Sequence, residues 1–219
     1  MKRVAKLLSG TTLAVTLLTG CFKEPLRGEG PIVTETRSLA AFSKIDLEGS
    51  RYAEVIYSPE SKVEITGYAN LVSAYQASVG NERLRFDYPN RIWVRNDNIR
   101  LKIYTTRLQG IRLSGSTKME VRGGFTGNLL EAHMSGSGQL DIGTGAYKQL
   151  ELYTSGSAAI NAREVAAQRA DINVSGSAAI KVQVSDYIKV RISGSGEVRY
   201  WGNPVTDIQV SGSGKAIKQ

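Results

Sequence analysis

One histidine and one cysteine occur in the 219 residues, so candidate chemistry gathers at few positions. His133 stands two residues from both Glu131 and Ser135, which puts the three side chains on one face of a strand. A histidine beside a hydroxyl and an orienting acid is the makeup of a serine nucleophile site. Ser135, however, is one of twelve serines in the same kind of tripeptide, and nothing singles it out. Glu120 and Asp141 could supply the paired carboxylates of glycoside cleavage. The equivalent positions further on are Asn161, Lys181 and Arg199, the makeup of a surface and not of a cleft. No catalytic residue is expected.

Equivalence between positions comes from a repeat. Ser-Gly-Ser begins at Ser114, Ser135, Ser155, Ser175, Ser193 and Ser211, at steps of 21, 20, 20, 18 and 18 residues. Four residues before each tripeptide lie Gly110, Glu131, Glu151, Asp171, Lys189 and Asp207. Glu131, Glu151 and Asp171 would be three carboxylates on adjacent coils, and oxygen ligands of this kind can hold Ca²⁺. The other reading is a solvated row whose flexible side chains splay apart. At ~4.8 Å in water, neighbouring charges repel by only about 0.9 kcal/mol, so no cation is required. Two residues before each tripeptide lie Arg112, His133, Tyr153, Asn173 and Arg191, with Gln209 last. Rings and planar amides beside acids suit the hydroxyls and faces of sugars, so this row is a candidate glycan contact, or else an ordinary polar exterior. Neither metal nor cofactor is expected of necessity.

These rows need an element to hold them. A period near twenty marks a stacked solenoid. Before each tripeptide come pairs at spacing two, mostly apolar, such as Ile111/Leu113, Ile172/Val174 and Val190/Ile192. After it come others, such as Met119/Val121, Leu140/Ile142 and Val198/Tyr200. Spacing two puts both members of a pair on one strand face. The tripeptide is then a corner between two strands whose apolar faces point inward, with glycine supplying the backbone freedom of the corner. Successive coils must pair in parallel, and crossover chirality makes the winding right-handed. The expectation is an all-β, right-handed parallel β-helix of roughly nine coils, about 43 Å long at ~4.8 Å per coil. In the first half, Ile45–Ser50 echoes Ile111–Ser116. Strand candidates at Ala53–Tyr57, Lys62–Thr66, Arg83–Asp87, Arg91–Arg95 and Ile99–Thr105 read as irregular early coils. Only Leu71–Val79 has helical spacing.

The start of the chain is of another kind. Lys2, Arg3 and Lys6 precede a mostly apolar stretch from Leu7 to Leu18, about 12 residues and too short to span a bilayer core of ~30 Å. Then comes Leu18-Thr19-Gly20-Cys21, a small-residue cleavage site followed by cysteine. This tetrapeptide resembles the bacterial lipobox, which implies a signal peptide over 1–20 and acylation of Cys21. Several acyl chains anchor stably where one would not. Phe22 in place of an aspartate points to the outer membrane by the enterobacterial sorting rule. Residues 21–40 form the lipidated cysteine and a tether, and 41–219 the head domain. The formal net charge is +8, of which the leader's three cations carry three, leaving +5. Without a block of like charges, nucleic acid is not expected as a partner. With Cys21 consumed, no disulfide is available.

The serial corners, the opening Phe42-Ser43-Lys44-Ile45 and the ending Tyr200-Trp201-Gly202-Asn203-Pro204 with Ser211-Gly212-Ser213-Gly214 resemble the auto-transporter adhesin head, or GIN, domain family. The resemblance runs from about Ala41 to Lys218. It implies a β-solenoid and an adhesive or envelope-structural, non-enzymatic role, with glycans or surface proteins as partners besides the membrane. The rivals are a polysaccharide lyase or hydrolase on a β-helix and a protein-binding envelope scaffold. Coils of 18 to 21 residues leave little loop from which to build an active site. Ala216 and Ile217 fall out of step with earlier coils, so the last coil is expected to be a cap.

Overall fold

The computed structural model describes residues 25–89 and 92–219. The leader and Cys21 lie outside the described residues. Seventeen strands join in one sheet that winds on itself, and two more form a small separate pair.

The regular part begins at Gly110–Gly115. This strand pairs in parallel with the end of Phe125–Gly136, which pairs with the end of Gly145–Gly156, and so on through Ala159–Gly176, Ala179–Gly194 and Val205–Ser211. All six tripeptides share one register, with Ser114, Ser135, Ser155, Ser175, Ser193 and Ser211 opposite one another in turn. A second column runs through Lys118–Arg122, Gln139–Ile142, and the starts of the next two long strands, to Glu197–Trp201 and Lys215–Lys218. A third column, unexpected from the sequence, takes in residues 125–129, 145–149, 165–169 and 183–187. Its register slips between Ala162 and Ala166, where coils of different length meet, and its buried residue moves from Phe125 to the position of Tyr147 on the next coil, so no one spacing from the tripeptide marks it.

The three columns enclose one continuous core, in which Ile111, Ala132, Leu152, Ile172 and Val190 stack on the first column and Met119, Leu140, Ile160, Ile180 and Val198 on the second. Tyr147 spans the third: its ring is buried and its hydroxyl donates to the Leu108 carbonyl at 2.9 Å. Each corner glycine from Gly49 to Gly212 has φ between 83° and 122°. From Gly115 onward each also lies so near its predecessor that a Cβ on Gly136 or Gly156 would sit 2.5 Å from the carbonyl oxygen one coil back. Glycine is therefore required twice over, for the left-handed backbone and for the close stack. The amide two residues beyond the corner serine donates to that same column of carbonyls, as Ser137 does to Gly115 at 3.0 Å.

About five complete turns result, not nine. Residues 26–105 do not add four coils. One rung, Lys44–Gly49 and Tyr52–Tyr57, does stack beneath the regular part, with Gly49 opposite Gly115 as the sequence echo requires. Around it the chain folds back on itself. Lys62–Tyr68 runs antiparallel to both Ile32–Ser38 and Arg100–Thr105, and Gln76–Gly80 antiparallel to Arg83–Asp87. The short helix Ala69–Ala74 buries Leu71 and Val72, and Arg37 donates to the carbonyls of Val72 and Tyr75 at its end. Leu26–Arg27 and Ile32–Ser38, within the stretch assigned to the tether, are strands of this N-terminal cap.

At the opposite end Ala216 stands in register with Val198, whereas Ile217 faces outward with Arg199 and Lys218 takes the second core position opposite Tyr200. The last rung leaves Val205, Ile208 and Val210 70%, 38% and 41% exposed.

Candidate functional site

A long groove of about 970 Å³ runs up the outer side of the first column. Its floor is the row of first serines, and its wall is the row two residues earlier: Arg112, His133, Tyr153, Asn173, Arg191 and Gln209. Parallel register sets these side chains one per rung, about 4.8 Å apart. All five residues of the expected contact row thus line one concavity. At the lower end the groove reaches Asp46 and Glu48. These two were missed because Glu48 stands where later coils have serine, although the Ile45–Ser50 echo puts Asp46 in the same row as Arg112. Arg83 and Arg85 both pair with Asp46, the latter at 3.3 Å.

The wall is stiffened along and across the stack. Along it, the His133 and Tyr153 rings lie 4.6 Å apart and 11° from parallel. Across it, the carboxylate row stands behind the contact row, since residues two apart on a strand share a face. Glu131 Oε1 meets His133 Nε2 at 2.5 Å. Tyr153 donates its hydroxyl to Glu151 at 3.3 Å, and Asn173 its amide to Asp171 at 2.9 Å. Arg191 pairs with Asp207 at 3.7 Å, and Lys189 with Asp171 at 3.4 Å. The hydrogen bond from His133 holds the Glu131 carboxyl below the usual carboxylate range. Partial burial, reinforced by Glu151, pushes the Tyr153 hydroxyl up.

Glu131, Glu151 and Asp171 are therefore spent on orienting their neighbours. Among the described residues no three of His, Cys, Asp and Glu are grouped to hold a metal ion. Glu120 and Asp141 face each other in register, but Lys118 and Arg122 bind the first at 3.1 and 2.9 Å, and Gln139 the second at 2.7 Å. Of the two tryptophans, Trp201 is half-buried with Arg163 over its ring at 4.5 Å, and Trp93 is 83% exposed and does not line the groove. Among the described residues no helix is long and apolar enough to cross a membrane.

A parallel β-solenoid with near-minimal coils and one continuous groove along its first column defines the class of this domain. The family model described as "Putative auto-transporter adhesin, head GIN domain" matches residues 41–204, and the chain belongs to that family. A solved "putative adhesin" from Bacteroides fragilis is 20% identical over 88% of this chain and 97% of its own, with a TM-score of 0.68. A "putative adhesin" from Parabacteroides distasonis is 18% identical, covering 90% of this chain and 100% of its own at a TM-score of 0.67. A structure from the same organism described as a "putative lipid binding protein" is 20% identical over 90% and 100%, with a TM-score of 0.61. These likenesses concern the fold. No curated protein matches the chain.

Proposed function

We propose that the chain is a lipoprotein of the outer membrane, acylated at Cys21, whose right-handed solenoid binds one extended glycan along the groove without cleaving it. The observation that carries the glycan reading is the groove itself, with one contact side chain and one hydroxyl per rung repeated over six rungs. A regular polymer presents chemically equivalent groups at regular distance, and a small solute would fill only part of such a trough. Stacked rings such as His133 and Tyr153 offer a flat apolar face for a sugar ring, and Arg112 and Arg191 offer forked donors for hydroxyl or carboxylate oxygens.

The reading is tested by titrating the mature domain with defined envelope polysaccharides while assaying for released product. Saturable binding without product is expected, and Tyr153→Ala should weaken it by roughly 2- to 10-fold, the worth of one aromatic contact. Released oligosaccharide would establish the rival enzyme. Acyl chains belong in the same panel, because a structural neighbour is described as lipid binding.

A scaffold that binds protein has one observation in its favour: the unpaired final rung with Ile208 and Val210 exposed. It expects a protein partner that Ile208→Lys displaces, and a groove that takes no glycan.

A further inference from the structure

The tether joins the head at an unusual place. Leu26–Arg27 pairs in parallel with Val94–Arg95, apart from the large sheet. The Leu26 amide donates to the Trp93 carbonyl at 2.8 Å and the Gly28 amide to the Arg95 carbonyl at 2.9 Å. Asn96 returns a bond to the Gly28 carbonyl at 3.0 Å. The loop bearing Trp93 is thereby bolted to the point where the chain enters the fold.

Trp93, 83% exposed, is the most exposed large apolar side chain among the described residues. An indole left in water contributes no burial to folding, but its apolar body and polar N–H suit a membrane–water interface. Beside it, Arg27 and Arg95 stand directly opposite each other in register. Neither makes an ion pair among the described residues, and the nearby Asp97 is taken by Arg51 at 2.8 Å. With Pro25 and Asn96 the two arginines line a cleft of about 520 Å³. Two adjacent unneutralised guanidinium groups repel each other until an anion bridges them, and phosphate fits their fork geometry. Cys21 lies four residues before Pro25, at most about 14 Å of extended chain.

We propose that Trp93, Arg27 and Arg95 form a docking patch that seats the base of the head on the phosphate headgroups of an anionic bilayer. The inference rests on the anchor at Cys21, which puts the bilayer within reach. The head then stands on the membrane instead of swinging from it, with the groove leading away from the surface.

The test uses the mature chain carrying Cys21→Ser, so that docking is read without the lipid. Vesicles of phosphatidylcholine with and without about a third phosphatidylglycerol are added at low salt, and binding is read by co-sedimentation and by tryptophan emission. Binding to the anionic vesicles with a blue shift is expected. Trp93→Ser should remove the shift, and Arg27→Gln with Arg95→Gln should weaken sedimentation roughly 30-fold, about five-fold per arginine. Unchanged thermal melting of these surface variants confirms that the fold persists. Absence of binding, or binding indifferent to all three substitutions, would overturn the proposal. So would binding of inorganic phosphate alone without vesicles, which would assign the arginines to a free anion. The mass of the N-terminal peptide of the wild-type chain reads acylation separately, so a failed patch and a failed anchor give different results.

Discussion

Thr154 occupies a core position in a column otherwise filled by Leu113, Met134, Val174 and Ile192. It is 4% exposed and its hydroxyl has no hydrogen-bond partner. An unpaired buried hydroxyl costs about 1–3 kcal/mol, so Thr154→Val should stabilise the head by about that amount. Thermal unfolding would show a rise of a few degrees, and a fall would mean that the hydroxyl has found a partner. The contact row was legible at this scale because the serine tripeptide marks register, and register alone makes neighbours of Arg112, His133, Tyr153, Asn173 and Arg191. The service of Glu131, Glu151 and Asp171 to that row was not legible. Two residues on one strand can pair, or each can turn to solvent or to the next coil, and spacing does not choose. The stack of His133 on Tyr153 chooses, since a ring fixed by its neighbour presents its nitrogen to the carboxylate behind it.

Corners and strands set the next scale. Gly156→Ala would force a side chain into φ +115° and against the Gly136 carbonyl 2.5 Å away. A loss of about 1–2 kcal/mol is expected from the left-handed strain alone, and the clash adds to it. The neighbouring Ser155 is exposed, and Ser155→Ala should change stability by no more than ~0.5 kcal/mol. Denaturant titration of the two variants separates a corner that needs glycine from one that tolerates any small residue: equal midpoints would refute the stacked-glycine account. In the second half of the chain the first two columns were readable strand by strand because the recurring glycine fixes the corner between them. The first half was not, for a physical reason. Alternating apolar residues identify a strand such as Lys62–Tyr68, but parallel and antiparallel neighbours bury the same face, so the partner stays hidden. The five candidate strands of that half were mostly present, yet they close the solenoid's end where more coils had been expected. The third column escaped notice because its buried residue stands ten residues before the corner at Phe125, eight at Tyr147 and nine at Val184, so no single apolar spacing runs through every coil.

At the scale of the molecule the coils behave as units, each in contact with its two neighbours. Leu150 pairs with Ala170 and Glu151 with Asp171, so removing residues 151–170 would join Leu150 to Asp171 with the register intact. Stability in such arrays is close to a sum over repeats and their interfaces. The shortened chain should still melt cooperatively, at a lower temperature, and should bind a long glycan more weakly while leaving a short one unaffected. Loss of the cooperative transition would show that the coils are not interchangeable. The hydrogen bonds between coils all point along the axis of the solenoid, whereas the covalent chain winds around it. A solenoid pulled along its axis is therefore loaded like a coil spring, seam by seam, with the backbone bonds of each seam sharing the tension. A polymer lying in the groove crosses every one of those seams from Arg112 to Gln209. It would act as a splint, so that gripping the ligand and resisting extension become a single mechanical property.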